Sequence, residues 1–271
     1  MNYSNETTNK EFPSRIREID LFRGFCILLM VIDHFMFFVI KFDVFYWTQS
    51  NQTFLAPLVA LCRYFYGGDG HLIRAIIRYI VLGLFMTISG ISCSFSKNNL
   101  KRFVRLAIVA LSITLAMFLL SLATDYDFNI FFGVFHCYGV CVFAYWLINK
   151  FPFKIYLISA LSLVVISVLI AIFQPTLPGT NILMPLGIPS ANYVSSVEYF
   201  PVFPAIGVFV IGTILGKTIY KNKKSLMPIL DKIKYHPIEF VGRHGILIYA
   251  CHIPLLALCV WLLGVIAFGK I

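Results

Sequence analysis

Charged side chains make up only 13% of this chain, about half the share of an ordinary globular protein, while 59% of its residues are apolar. No single core hides that excess, so a soluble domain and a disordered chain are both excluded and lipid is the expected neighbour. Acidic residues are scarcer still: twelve aspartates and glutamates stand against twenty-two lysines and arginines, for a net charge of +10. A small-residue cleavage site is missing behind the first apolar run, which excludes a removable signal peptide. Six of the seven cysteines (Cys26, Cys93, Cys137, Cys141, Cys251 and Cys259) lie inside apolar runs, where a thiol behaves as a small buried hydrophobe. Their odd total gives no disulfide framework. An internal repeat is missing too, which counts against a transporter built from two related halves.

What the chain does have is a series of apolar runs of about twenty residues, the length that crosses a bilayer. They fall at 21–42, 72–95, 103–122, 130–148, 155–173, 200–220 and 246–268. The expected fold is therefore an all-α integral membrane bundle of about seven spans, within a range of six to eight. The range comes from 54–66, an apolar and aromatic run too short to cross, which suits a re-entrant or interfacial helix. With the N-terminus in the cytoplasm, fifteen of the twenty-two basic residues fall on the cytoplasmic side, and Arg63, Arg74 and Arg78 are left to outward loops. The positive charge is thus a topology signal, and no nucleic-acid partner is expected. The outer segments 43–70 and 174–199 are rich in Pro, Gly, Asn and Ser and read as loops that cover a site.

Ionisable side chains inside a bilayer are costly and read first as functional. The first span and its approach carry Glu18, Asp20, Arg23, Asp33 and His34. Arg23 and His34 are eleven residues apart, close to three helical turns and about 16 Å of rise, so they share a face. That puts a permanent cation near the cytoplasmic end and a titratable base most of the way across, with Asp20 one turn from Arg23. A structural alternative has Arg23 snorkelling to inner headgroups and His34 bonded at the outer interface. His136 lies about two turns in from the outer end of the fourth span, and His252 about midway through the last. Three such histidines suit a proton relay or polar glue between helices. A metal site is the weakest reading, because no two share a helix face and no carboxylate is paired with them by sequence. A transporter of a small solute or lipid-linked sugar stays open from these residues alone, since polar groups facing a bundle interior also mark permeation paths.

The run Glu18-Ile19-Asp20-Leu21-Phe22-Arg23-Gly24-Phe25, leading to Asp33-His34, resembles the first helix of acyltransferase type 3 proteins, where an arginine, ten residues and a histidine recur. It is more closely similar to the heparan-α-glucosaminide N-acetyltransferase catalytic-domain family, whose members open with Asp-x-x-Arg-Gly. Ile88-Ser89-Gly90-Ile91-Ser92, residues 133–140, 199–207 and 242–254 resemble further family segments in family order, so the likeness runs from about 17 to 256.

This resemblance implies a cytoplasmic tail at 1–20 and a transmembrane acyltransferase domain at 21–271, in a bacterial plasma membrane, with self-association into a homo-oligomer left open. It implies transfer of an acetyl group from cytoplasmic acetyl-CoA to a hydroxyl or amine of a sugar or cell-envelope glycan on the outer side. In that scheme His34 serves as general base or as acyl carrier, with Asp33, His136 and His252 around it. Arg23, Asp20, Lys97, Lys101, Arg102 and Arg105 form the mouth for the donor's phosphates, and Ser89, Gly90 and Ser92 let its pantetheine arm run close to backbone. Glu198 faces the acceptor, while Asp125 and Asp127 read as solvated loop residues. In the lysosomal enzyme the first helix carries an asparagine where this chain has His34, and the proposed catalytic histidine lies in the following loop. Here that region offers His71.

Overall fold

The computed structural model describes residues 16–47, 53–123, 129–193, 198–231 and 236–269; Asp125 and Asp127 lie outside them. Among the described residues the regular secondary structure is helical apart from one isolated bridge between Phe132 and Tyr199. The helices are α1 Arg17–Phe45, α2 Ala56–Gly67, α3 His71–Ser94, α4 Asn99–Ala123, α5 Val134–Ile148, α6 Phe153–Phe173, α7 Val202–Thr218, α8 Pro228–Asp231, α9 Pro237–Arg243 and α10 Gly245–Phe268. Five of them, α1, α3, α4, α6 and α10, are long and apolar enough to cross a bilayer. With the shorter apolar helices α5 and α7 they make the polytopic helical bundle that composition requires.

The two short helices are the inner ones. At 15 and 17 residues they rise only about 22 and 25 Å, less than the roughly 30 Å of a hydrocarbon core. A short helix is tolerated where its ends meet protein instead of lipid, and these two carry much of the main core through Cys137, Cys141, Val142 and Tyr145 of α5 and Ile206, Phe209 and Val210 of α7. The long helices expose wide apolar faces in their place, as Ile108, Leu111 and Leu115 do on α4. α5 also starts later than the apolar run suggests: Gly133 is extended, and its N–H donates to His136 Nδ1 at 3.2 Å, so residues 130–133 stay outside the helix.

Two close crossings fix the bundle. On α3 and α7, a Cβ at Gly90 would sit 2.1 Å from the Phe209 carbonyl oxygen, and one at Gly212 would sit 2.0 Å from that of Thr87. On α1 and α9, Gly24 and Gly242 face each other, and a Cβ on either would lie 1.8 Å from a carbonyl oxygen of the other helix. Backbones can approach this closely only where there is no side chain. The stretch 54–66 resolves as α2, twelve residues whose Val59 and Cys62 bury against the outer end of α1 beside Val39 and Trp47, while Leu61 and Tyr64 stay exposed. This is an amphipathic helix, too short to cross.

Candidate active site

At the N-terminal end of α1, the α1–α9 crossing joins two segments far apart in sequence. Arg23 donates to Asp20 at 2.9 Å and to the Ser92 hydroxyl on α3. Arg243 reaches back from α9 to Asp20 at 3.6 Å and pairs with Glu239, which also takes Arg17 at 2.9 Å. Burial would raise the Glu239 carboxyl, but the two guanidinium groups outweigh it and hold that carboxyl below its usual range. These pairings explain why α1 begins at Arg17, four residues before its apolar run.

Beside this cluster opens a cavity of about 380 Å³, lined by Ser96, Asn98, Lys101, Arg102, Arg105, Leu106 and Ile246. Three expected phosphate-binding cations therefore share one wall. Lys97 is exposed and is not among the lining residues. Arg102, on that wall, also donates through one guanidinium nitrogen to the Tyr138 hydroxyl, which is bonded in turn to the buried Ser89. Ser89 is buried, and Gly90 packs against α7. Ser92 is occupied by Arg23 on one side and the Ile88 carbonyl at 2.9 Å on the other.

Ten residues above Gly24, about 15 Å and half the hydrocarbon thickness, His34 meets His252. Their rings are 4.9 Å apart, and His252 Nε2 lies 3.2 Å from His34 Nδ1. The tautomers follow from the partners. His252 Nδ1 is 2.6 Å from the Tyr249 carbonyl oxygen, which can only accept, so Nδ1 carries the proton. The Nε2 of the neutral ring is then the acceptor, and His34 donates to it from Nδ1. The lone pair of His34 is left on Nε2, on a half-buried side chain.

The surroundings of this pair differ from expectation in two ways. Asp33 does not orient His34: its carboxylate takes Arg74 at 2.6 and 3.1 Å, with Arg74 stacked 3.6 Å over the Tyr66 ring and the Tyr66 hydroxyl donating to the Asp33 carbonyl. His136 is engaged elsewhere. It accepts from Gly133 at Nδ1, so Nε2–H donates to the Thr114 hydroxyl at 3.2 Å, and that hydroxyl donates to the Ile130 carbonyl. Glu198 does reach the site, one helical turn below His252. It accepts the Val134 N–H at 2.8 Å and the Tyr249 hydroxyl at 3.1 Å, and burial pushes its carboxyl above the usual range. His71, the first residue of α3, is exposed.

The family model for the catalytic region of heparan-alpha-glucosaminide N-acetyltransferase matches residues 63–254, most of the chain. The chain belongs to that family. It is accordingly a membrane acetyltransferase, and the transporter reading gives way to it. No curated protein and no solved structure matches the chain. The matched region of this acetyltransferase begins in α2, so it contains His71, His136, Glu198 and His252 and leaves Arg23 and His34 of α1 outside. What joins α1 to the family region is contact: Asp20 and Gly24 dock on Gly242 and Arg243, Arg23 on Ser92, and His34 on His252.

Sequence reasoning placed Arg74 and Arg78 in an outward loop, whereas both are in the first two turns of α3. The signal was present, since the two are spaced i and i+4 between Ile73, Ile76, Ile77 and Tyr79 and so share one face of an apolar run. The roles of Tyr249 and Asp33 had no local signal, because their partners come from other helices.

Proposed function

We propose that this protein transfers an acetyl group from acetyl-CoA, entering from the cytoplasm, to a hydroxyl or amine of a sugar or cell-envelope glycan entering from the outer face of a bacterial plasma membrane. The observation that carries this reading is the His34–His252 pair, which places the acceptor lone pair of His34 on Nε2 at mid-depth. The cavity below it fits a polyphosphate donor, since Lys101, Arg102 and Arg105 supply fixed positive charge on one wall. Ile246 lines that cavity, and His252 follows it on α10 by six residues, about 9 Å. The donor supplies a thioester whose thiol leaves as the new ester or amide forms.

His34 Nε2 takes the proton of the attacking hydroxyl or amine. As it does so, the Nδ1 proton moves toward His252 Nε2, and the charge spreads onto a ring whose own Nδ1–H is held by the Tyr249 carbonyl. His252 is thus a positioning residue and proton partner, and Arg102 and Arg105 hold phosphate. The test is transfer of label from radioactive acetyl-CoA to an amino sugar by the purified protein. His34→Ala should lose about a hundredfold to ten-thousandfold in rate while CoA affinity stays at the wild-type value. Full activity in His34→Ala, with loss in His71→Ala, would move the base to α3.

A further inference from the structure

We infer that Tyr138 is a positioning residue for the donor: its hydroxyl holds the Arg102 guanidinium at the cavity wall, where a phosphate of CoA binds. The inference rests on the acetyl-CoA reading of that cavity and adds a residue that acts through another.

Tyr138 lies in the second turn of α5 and is 5% exposed. Its ring is wedged between two helices, edge-on to Phe85 of α3 and to Phe209 of α7, with centroids 6.1 Å away in both cases. α4 and α5 run close together here, since a Cβ at Gly139 would lie 3.8 Å from Phe103 and from Leu106. Arg102, in the first turn of α4, reaches across that contact. One of its guanidinium nitrogens donates to the Tyr138 hydroxyl, and the guanidinium carbon is 5.4 Å from the ring centroid. The same side chain lines the cavity of about 380 Å³.

The kind of partner decides what Arg102 can do. Arg17, Arg23, Arg63, Arg74 and Arg243 each pair with a carboxylate, which offsets their charge. Arg102 is held by a neutral phenol, and none of the side chains lining the cavity is acidic. Its position is thus restrained while its charge stays available. A guanidinium has five N–H donors, so a bond to one hydroxyl leaves enough of the fork to grip an anion. The other two cations of the wall, Lys101 and Arg105, are exposed, whereas Arg102 is half-buried. A restrained cation loses less freedom when a ligand arrives than one that moves in solvent, so the phenol contributes affinity without touching the ligand.

The test is titration calorimetry on the purified full chain with two probes, CoA and pantetheine, which lacks the phosphates. Wild type should prefer CoA, and Tyr138→Phe should weaken CoA by about tenfold or more while pantetheine binds as before. In Tyr138→Phe/Arg102→Ala the two losses should not add: CoA should bind no more weakly than to Arg102→Ala alone. Wild-type CoA affinity in Tyr138→Phe, additive losses in the double variant, or an equal loss for pantetheine, which a packing defect would give, each overturns the inference. Arg102→Lys keeps the charge on the wall but falls short of the hydroxyl, and it decides the matter if Tyr138→Phe does not fold. It should weaken CoA as well, and wild-type affinity there overturns the inference. Equal binding of CoA and pantetheine by wild type strikes the donor reading and the inference with it, whereas a phosphate preference untouched by Tyr138→Phe strikes the inference alone.

Discussion

His34 and His252 meet through Nδ1 and Nε2 at 3.2 Å, although 218 positions separate them in the chain. The contact divides labour between two like residues. His252 is 4% exposed and anchored by a backbone carbonyl, while His34 is half-buried and keeps its lone pair on Nε2. Removing the anchor should therefore leave a weakened base. His252→Ala is expected to lose on the order of tenfold in rate, the worth of one orienting hydrogen bond, far less than His34→Ala. The pH dependence of kcat/KM separates this from a packing defect, since loss of the partner should shift the acidic limb, where the base becomes protonated, and a loosened fold should not.

The cavity cations predict a graded effect on donor binding. Arg102→Ala and Arg105→Ala should each weaken CoA by about tenfold or more, because each removes a charge-assisted contact from one wall. Lys150→Ala should leave CoA affinity unchanged, since Lys150 lies 3.4 Å over the Trp146 ring at the end of α5 and away from that wall. Titration calorimetry with CoA reads both. Equal losses at all three positions would mean diffuse attraction to a basic surface.

The α1–α9 contact predicts a stability effect. Gly24→Ala drives a methyl group against the Ile238 carbonyl oxygen at 1.8 Å, and two backbones must separate to admit it. A loss of about 1 to 3 kcal/mol is expected, read as a lower melting temperature in detergent. Gly83→Ala is the control. Nothing lies within 4 Å of a Cβ there, so stability should hold or rise slightly as a helical glycine is replaced.

Glu239 predicts a pH dependence of the same junction. Its carboxyl lies below the usual range in the folded state because Arg17 and Arg243 outweigh the cost of burial. A lowered folded pKa means that the stabilisation is fully present above the unfolded value near 4.3 and is lost as pH falls through the folded value. Melting temperature should therefore drop on acidification below about pH 4, with a smaller drop in Glu239→Gln. An identical acid profile in both proteins would show that the junction does not depend on this charge.

Much of the fold was legible because lipid imposes a simple requirement: each long apolar run between basic clusters became a helix. The pairing of Arg23 and His34 on one face of α1 was legible for the same reason, since covalent geometry fixes it. What could not be read was anything decided between helices. Asp33 stands next to His34 in sequence, yet an α-helix turns consecutive residues about 100° apart, and its carboxylate goes to α3 while His34 goes to α10. Gly90 looked like an opening for a ligand because a missing side chain can admit either a ligand or another helix, and the sequence around it does not distinguish the two. His136 looked catalytic from its depth, and its partners Gly133 and Thr114 make it the cap of α5.

The shortness of α5 and α7 has a consequence for traffic. The long helices match the lipid and the core pair stops short of it, so the protein's core is thinner than a hydrocarbon layer of about 30 Å. Water can then stand deeper over the ends of α5 and α7 than the headgroups do outside. In the proposed transfer, a donor and an acceptor kept to opposite faces need to bridge only the septum that remains.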